Sequence, residues 1–187
     1  TQMENISEVR SVYKNGFVFL DGTIGKYGKN GVVIPVTGGT TYRNVVKVVG
    51  YFALLDTGEV TYYPRFFKWL ITDVVDIDDG VMLKKDGTLW TVLSTNYKTV
   101  MQIENMCDCI AIIERFALKK DGTVWHSNGS WSRTTYTQVN GLPPIASIYG
   151  SREGFVAIGR DGQIYWGNGY KQIQTIRLED GMLFAQG

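Results

Sequence analysis

The sequence predicts an all-β chain, a β-propeller of five to six four-stranded blades, on three observations. The nonamers MLKKDGTLW (82–90) and ALKKDGTVW (117–125) repeat 35 residues apart. Asp-Gly or Thr-Gly turns with Gly22, Gly58, Gly87, Gly122 and Gly162 recur at spacings of 36, 29, 35 and 40. Around them run short alternations of Val, Ile, Thr and Tyr, with 22 Gly and only 4 Pro in 187 residues, the signature of many short strands joined by tight turns. A unit of that length holding four strands cannot bury its faces alone, so neighbouring units stack.

Each element of the unit follows from its residues. Asp-Gly between two apolar runs supplies the positive φ that a tight hairpin turn needs, in FLDGTIG, LDTGEVT, KKDGTLW, KKDGTVW and GRDGQIY. The register extends well upstream of the turn: residues 2–22 align without a gap on 102–122, at a constant offset of 100. In the apolar skeleton common to the units Val9, Val45, Val74, Cys109 and Ile145 share one position, and Cys109 is therefore expected to be a buried small hydrophobe. Strand, turn, strand, Asp-Gly turn and third strand are followed by a Gly/Asn-rich loop such as SNGSW or WGNGY, and then by a fourth strand. The Asp-rich stretch ITDVVDIDDG (71–80) is assigned to the turn between the first two strands, because equivalent stretches carry no matching carboxylates and a twelve-residue calcium loop ending in Glu is lacking.

The units run over 2–31, 32–65, 66–99, 100–135 and 136–169, with a partial unit at 170–187. In that last piece IRLEDGMLFAQG (176–187) matches VDIDDGVMLKKD (75–86), and QMENI (2–6) corresponds to the fourth strand of a preceding unit. Six units, with an incomplete closing blade built from both ends, are favoured over five.

Two stretches, CIAIIERFALKKDGTVWHSNGS and IASIYGSREGFVAIGRDGQIYWGNG, resemble the regulator of chromosome condensation repeat, in the short form found in bacterial and phage proteins. The resemblance covers nearly the whole chain. It implies a propeller that serves as a protein-binding platform, using loops and one face of the ring. Nucleotide-exchange activity is not carried over, since none of its residues can be placed on this chain.

Composition narrows the partners. With Lys plus Arg 19 against Asp plus Glu 18, the chain has no basic field of the kind a phosphate backbone selects, so nucleic acid is not expected. Membrane insertion is not expected either, because the sequence has no apolar run of 18 residues. TQMENISEVR lacks the zones of a secretory leader, and a virion or cytoplasmic setting fits equally. Cys107 and Cys109 stand two apart, a poor spacing for a disulfide and too few ligands with His126 for a metal, so they read as free thiols, and no cofactor is expected.

Catalysis finds no foothold in the sequence. The single His126 follows Trp125 at a position held by Thr91 and Trp166 in other units, and Asp21, Asp86, Asp121 and Asp161 belong to the repeated turn. Trp90, Trp125 and Tyr165, three residues past the turn glycine, are expected to pack between blades. Tyr97, Trp131 and Tyr170 follow Asn or Asn-Gly stretches in equivalent loops, and an arc of exposed rings there could anchor a protein or stack on sugars. The reading is a non-enzymatic protein-binding or assembly module, a structural or attachment component of a phage particle or bacterial surface assembly, with a lectin-like glycan-binding propeller as the alternative.

Overall fold

The computed structural model describes residues 9–13, 16–27, 33–35, 44–62, 67–68, 71–78, 80–93, 99–129, 134–151, 154–168 and 172–176. Among them there is no helix, and the strands form five four-stranded antiparallel sheets. Sheet one holds β1 (Val9–Tyr13), β2 (Gly16–Phe19), β3 (Ile24–Tyr27) and β4 (Val33–Pro35). Sheet two holds β5 (Val45–Val49), β6 (Phe52–Leu55), β7 (Val60–Tyr62) and β8 (Phe67–Lys68). Sheet three holds β9 (Val74–Asp78), β10 (Val81–Lys84), β11 (Leu89–Val92) and β12 (Val100–Gln102). Sheet four holds β13 (Cys109–Ile113), β14 (Phe116–Lys119), β15 (Val124–Asn128) and β16 (Thr135–Gln138). Sheet five holds β17 (Ile145–Ser151), β18 (Gly154–Gly159), β19 (Ile164–Asn168) and β20 (Gln172–Ile176).

Strand order within every sheet follows chain order, and first strands contact in series, β1 to β5 to β9 to β13 to β17. They form the inner edge of the array. The units 32–65, 66–99, 100–135 and 136–169 each supply the fourth strand of one sheet and the first three of the next, as β12 through β15 do for residues 100–135. Two expectations are corrected. Asp76 and Asp78 lie within inner strand β9, because the flanking Val74 and Ile77 are the buried positions. Ile176, matched in sequence to Val75 of an inner strand, instead ends β20, where it pairs with Ile164. Residues 2–6 and 177–187, assigned from sequence to a closing sixth blade, lie outside the described residues.

The core sits between sheets rather than inside one. Val18 and Ile24 of sheet one pack on Val45, Val48 and Ala53 of sheet two. Phe52, Leu54 and Val60 then meet Val74, Ile77 and Met82 of sheet three, and Val81, Leu83 and Leu89 meet Cys109, Ile112 and Ala117 of sheet four. Finally Phe116, Leu118 and Val124 meet Ile145, Ile148 and Ala157 of sheet five. The same positions recur at every interface, which is why the apolar skeleton repeats. Trp90, Trp125 and Tyr165 pack against these interfaces as expected. Of the five residues sharing one position, Val45, Val74, Cys109 and Ile145 are buried, whereas Val9 is half-buried.

Candidate protein-interaction surfaces

The repeated nonamer is explained by local structure. In sheet four the Thr123 amide and hydroxyl both donate to Asp121 Oδ1, at 2.8 and 2.7 Å. Trp125 Nε1–H in turn donates to Thr123 Oγ1 at 2.9 Å, and the Lys119 ammonium sits 4.5 Å from the Trp125 ring centroid. Sheet three repeats the relay through Thr88, Asp86 and Trp90, with distances of 2.9, 2.6 and 3.0 Å. Sheet five replaces Trp with Tyr165, whose hydroxyl donates directly to Asp161 at 2.7 Å. These donated hydrogen bonds hold the Asp86, Asp121 and Asp161 carboxyls below the usual carboxylate range.

The turn glycines do a second job. The carbonyls of Gly22, Gly58, Gly87 and Gly122 accept from the amides of Val45, Val74, Cys109 and Ile145 at 3.2, 3.0, 2.9 and 2.9 Å. Each is a clamp from the Asp-Gly turn of one sheet to the first inner-strand residue of the next. A Cβ on Gly122 would stand 2.8 Å from the Ile145 nitrogen and 2.9 Å from Pro144 Cα. Besides the φ of +93°, close approach of two backbones therefore requires glycine there.

Right after each clamped residue the inner strand bulges. Pairing skips from Val45↔Leu55 to Lys47↔Leu54, from Val74↔Lys84 to Asp76↔Leu83, from Cys109↔Lys119 to Ala111↔Leu118, and likewise in sheets one and five. The extra residues are Arg10, Val46, Val75, Ile110 and Ala146. A bulge leaves its extra residue unpaired and re-aims its side chain. Val75 and Ile110, on contacting strands, are each 53% exposed, and Ala146 is exposed with Val46 half-buried. The result is a short row of exposed apolar residues, Val75, Ile110 and Ala146, along the inner edge, flanked by Val46, which packs against the core, and by the charged Arg10 of sheet one. Sequence analysis passed over these residues, although consecutive apolar pairs (Val45-Val46, Val74-Val75, Cys109-Ile110, Ile145-Ala146) break the two-residue alternation of a strand and so mark the bulge.

Polar ties also cross between sheets. Lys47 Nζ meets Asp76 Oδ1 at 2.7 Å, and the Glu114 amide donates to Asp78 Oδ2 at 2.8 Å. These acids therefore serve the sheet interfaces. Among the described residues no group of three or more His, Cys, Asp or Glu could hold a metal. His126 is buried against Phe116, ring centroids 4.9 Å apart, and burial, aided by Arg115, pushes its pKa down. Cys107 is exposed and Cys109 buried, with the two thiols unlinked; burial pushes the Cys109 thiol up to about 11.

A groove of about 580 Å³ opens between sheets three and four, lined by Met101, Glu104, Met106, Trp125, Thr134 and Tyr136 among others. Tyr97, Trp131 and Tyr170, the expected aromatic arc, lie outside the described residues. The described candidates are therefore the inner row and this groove.

Five four-stranded sheets stacked through their faces, with inner strands in series, define a β-propeller. Its likeness is to the regulator of chromosome condensation type. Prp20 of Saccharomyces cerevisiae (yeast RCC1), in a structure where it is bound by Kap60, is 12% identical, with a TM-score of 0.55 over 82% of this chain and 54% of that one. A second structure of Prp20 gives 14% identity and a TM-score of 0.55, covering 83% of this chain and 56% of that one. PorZ of Porphyromonas gingivalis, a bacterial surface component of the type-IX secretion system, gives 17% identity and a TM-score of 0.51, covering 88% of this chain and 26% of that one. The chain thus spans about half the length of Prp20. No family model and no curated protein sequence matches it.

Proposed function

We propose that this chain is a non-enzymatic protein-binding module that works as part of a larger assembly, such as a phage particle or a bacterial surface complex. The observation that carries the reading is the apolar row on the inner edge. Side chains of Val75 and Ile110 stand half in water on strands that contact each other, and exposed apolar residues so placed favour a macromolecular contact. The same bulge recurs in all five sheets, and bulges commonly re-aim a side chain next to a functional site. Structural likeness adds support: Prp20 is bound by Kap60, its binding to Gsp1p and histones has been studied, and PorZ belongs to a surface secretion system. The acids of the repeated turns are engaged in local hydrogen bonds, in keeping with a structural role.

The test is a pair of substitutions, Val75→Asp and Ile110→Asp. Both residues are largely exposed, so the fold should tolerate the change. Quantitative cross-linking mass spectrometry on the native assembly should lose the partner cross-links of wild type in the double variant, while circular dichroism stays unchanged. Retention of every cross-link by the folded double variant refutes the reading.

A further inference from the structure

Two acids beside the inner row carry a charge that their backbone does not require. Asn44, Asp73 and Asp108 stand at one position of sheets two, three and four, immediately before Val45, Val74 and Cys109, and all three are left-handed, with φ of 72°, 61° and 57°. Asn and Asp are the non-glycine residues that adopt this conformation most readily. Sheet two meets the demand with the neutral Asn44, and sheet five places Pro144 there. Of sheets two to five, only three and four carry a carboxylate at this position, and theirs are the bulge residues, Val75 and Ile110, that are each 53% exposed. In sheet two, where the position is uncharged, Val46 packs against the core instead. Glu8, the counterpart before β1, lies outside the described residues.

Both carboxylates are exposed. Asp73 accepts from the neighbouring Thr72 hydroxyl at 3.0 Å. The backbone amides of Lys85 and Lys120 donate to the Asp73 and Asp108 carbonyls, yet among the described residues neither acid takes part in an ion pair, and Lys47 is committed to Asp76. Two residues of chain span at most about 7 Å, so each acid lies that close to its exposed apolar neighbour, on strands β9 and β13 that contact each other. The inner strands of sheets two to five, each taken with the residue before it, hold Asp73, Asp76, Asp78 and Asp108 against Lys47, a net charge of −3 in a chain whose net charge is +1. An acidic field therefore surrounds the exposed apolar pair.

We infer that the inner row binds a basic, apolar segment of a partner protein, whose apolar side chains lie on Val75 and Ile110 and whose flanking lysines or arginines meet Asp73 and Asp108. The stems of those bases extend the apolar contact while their charged heads reach the carboxylates. Charges placed around an apolar contact in this way select the partner and speed its approach. Acidic apolar segments are repelled by the same pair, and neutral ones gain nothing from it. The inference rests on the reading of the inner row as a protein contact and adds the chemistry of the partner.

The test is selection from an unbiased random-peptide library displayed on beads, followed by fluorescence anisotropy on the selected peptides. Wild type should enrich peptides that combine Leu, Ile, Val, Phe or Met with Lys or Arg. The double variant Asp73→Asn, Asp108→Asn keeps a residue suited to positive φ at both sites, so its circular dichroism should match wild type. It should lose the enrichment of bases and bind the best wild-type peptide roughly fivefold more weakly at low salt, the loss of two exposed ion pairs. The double variant Val75→Ser, Ile110→Ser should lose the wild-type peptides altogether. Enrichment of neutral or acidic peptides by wild type overturns the inference, as do an unchanged preference for bases in the Asn variant, unchanged binding by the Ser variant, or no enrichment of any peptide. Cross-linking of Val75→Asp, Ile110→Asp in the native assembly is a separate readout, so the inner row can stand as a protein contact while its preference for a basic partner falls.

Discussion

Replacing Gly122 and Gly162 by alanine separates the cost of the turn from the cost of the clamp. Both glycines have positive φ, +93° and +79°, so alanine brings a left-handed penalty of roughly 1–2 kcal/mol at either site. Only at Gly122 does the new Cβ meet the next sheet, 2.8 Å from the Ile145 nitrogen and 2.9 Å from Pro144 Cα. Neither is a side chain that could swing away. Relief requires the sheets to part, which overpacking data put at about 1–3 kcal/mol, and it strains the 2.9 Å bond from Ile145 to the Gly122 carbonyl, a further ~1 kcal/mol. Gly122→Ala should therefore lose at least about 2 kcal/mol more than Gly162→Ala. In urea that difference lowers the unfolding midpoint by roughly 1 M for an m-value of about 2 kcal/mol/M. Equal midpoints for the two variants would refute the clamp as an inter-sheet tie and reduce the repeated glycine to a turn requirement.

Acid and thiol chemistry give two further tests. Because the folded Asp121 carboxyl titrates below its unfolded value of 3.8 through the bonds from Thr123, its contribution is fully present above about pH 4 and is lost as pH falls through the lowered folded value. Asp121→Asn should thus be less stable than wild type near neutrality, and the gap should close in acid titrations followed by fluorescence; a gap that is constant with pH rejects this linkage. For the cysteines, alkylation near pH 8 should label the exposed Cys107 in the native state and Cys109 only after unfolding, since the buried thiol is pushed up to about 11. Equal native labelling rates, read by peptide mass mapping, would show that the Cys109 position is open.

Much of the fold was legible because each repeated residue answers to a local rule. Asp-Gly demanded a turn, alternation demanded strands, and the shared position of Val45, Val74, Cys109 and Ile145 demanded burial, as found. Phase was harder. Ile176 aligns as readily with Val75 of an inner strand as with the buried Val139 after an outer one, since all three are β-branched apolar residues. Only its pairing with Ile164 decides. The partner of Asp78 was equally hidden, because the Glu114 amide that it caps lies 36 residues away in the neighbouring sheet. Nothing in a one-dimensional pattern distinguishes a clamp glycine from a turn glycine, as both need the same φ. The inner row was missed for a related reason: an exposed Val beside a buried one reads as two core residues until the bulge that separates them is seen.

The offset between sequence unit and sheet has an evolutionary corollary. A unit such as 100–135 completes the sheet before it and begins the sheet after it, so tandem duplication of one unit inserts a whole blade, and excision removes one, with no strand left unmatched at the junction. Chain length can then change in steps of one unit while every surviving joint keeps its glycine, its bulge and its apolar triplet. A lineage carrying this repeat can alter the span of its array by a single recombination event, and the substitutions that tune a given binding surface need not be rediscovered each time.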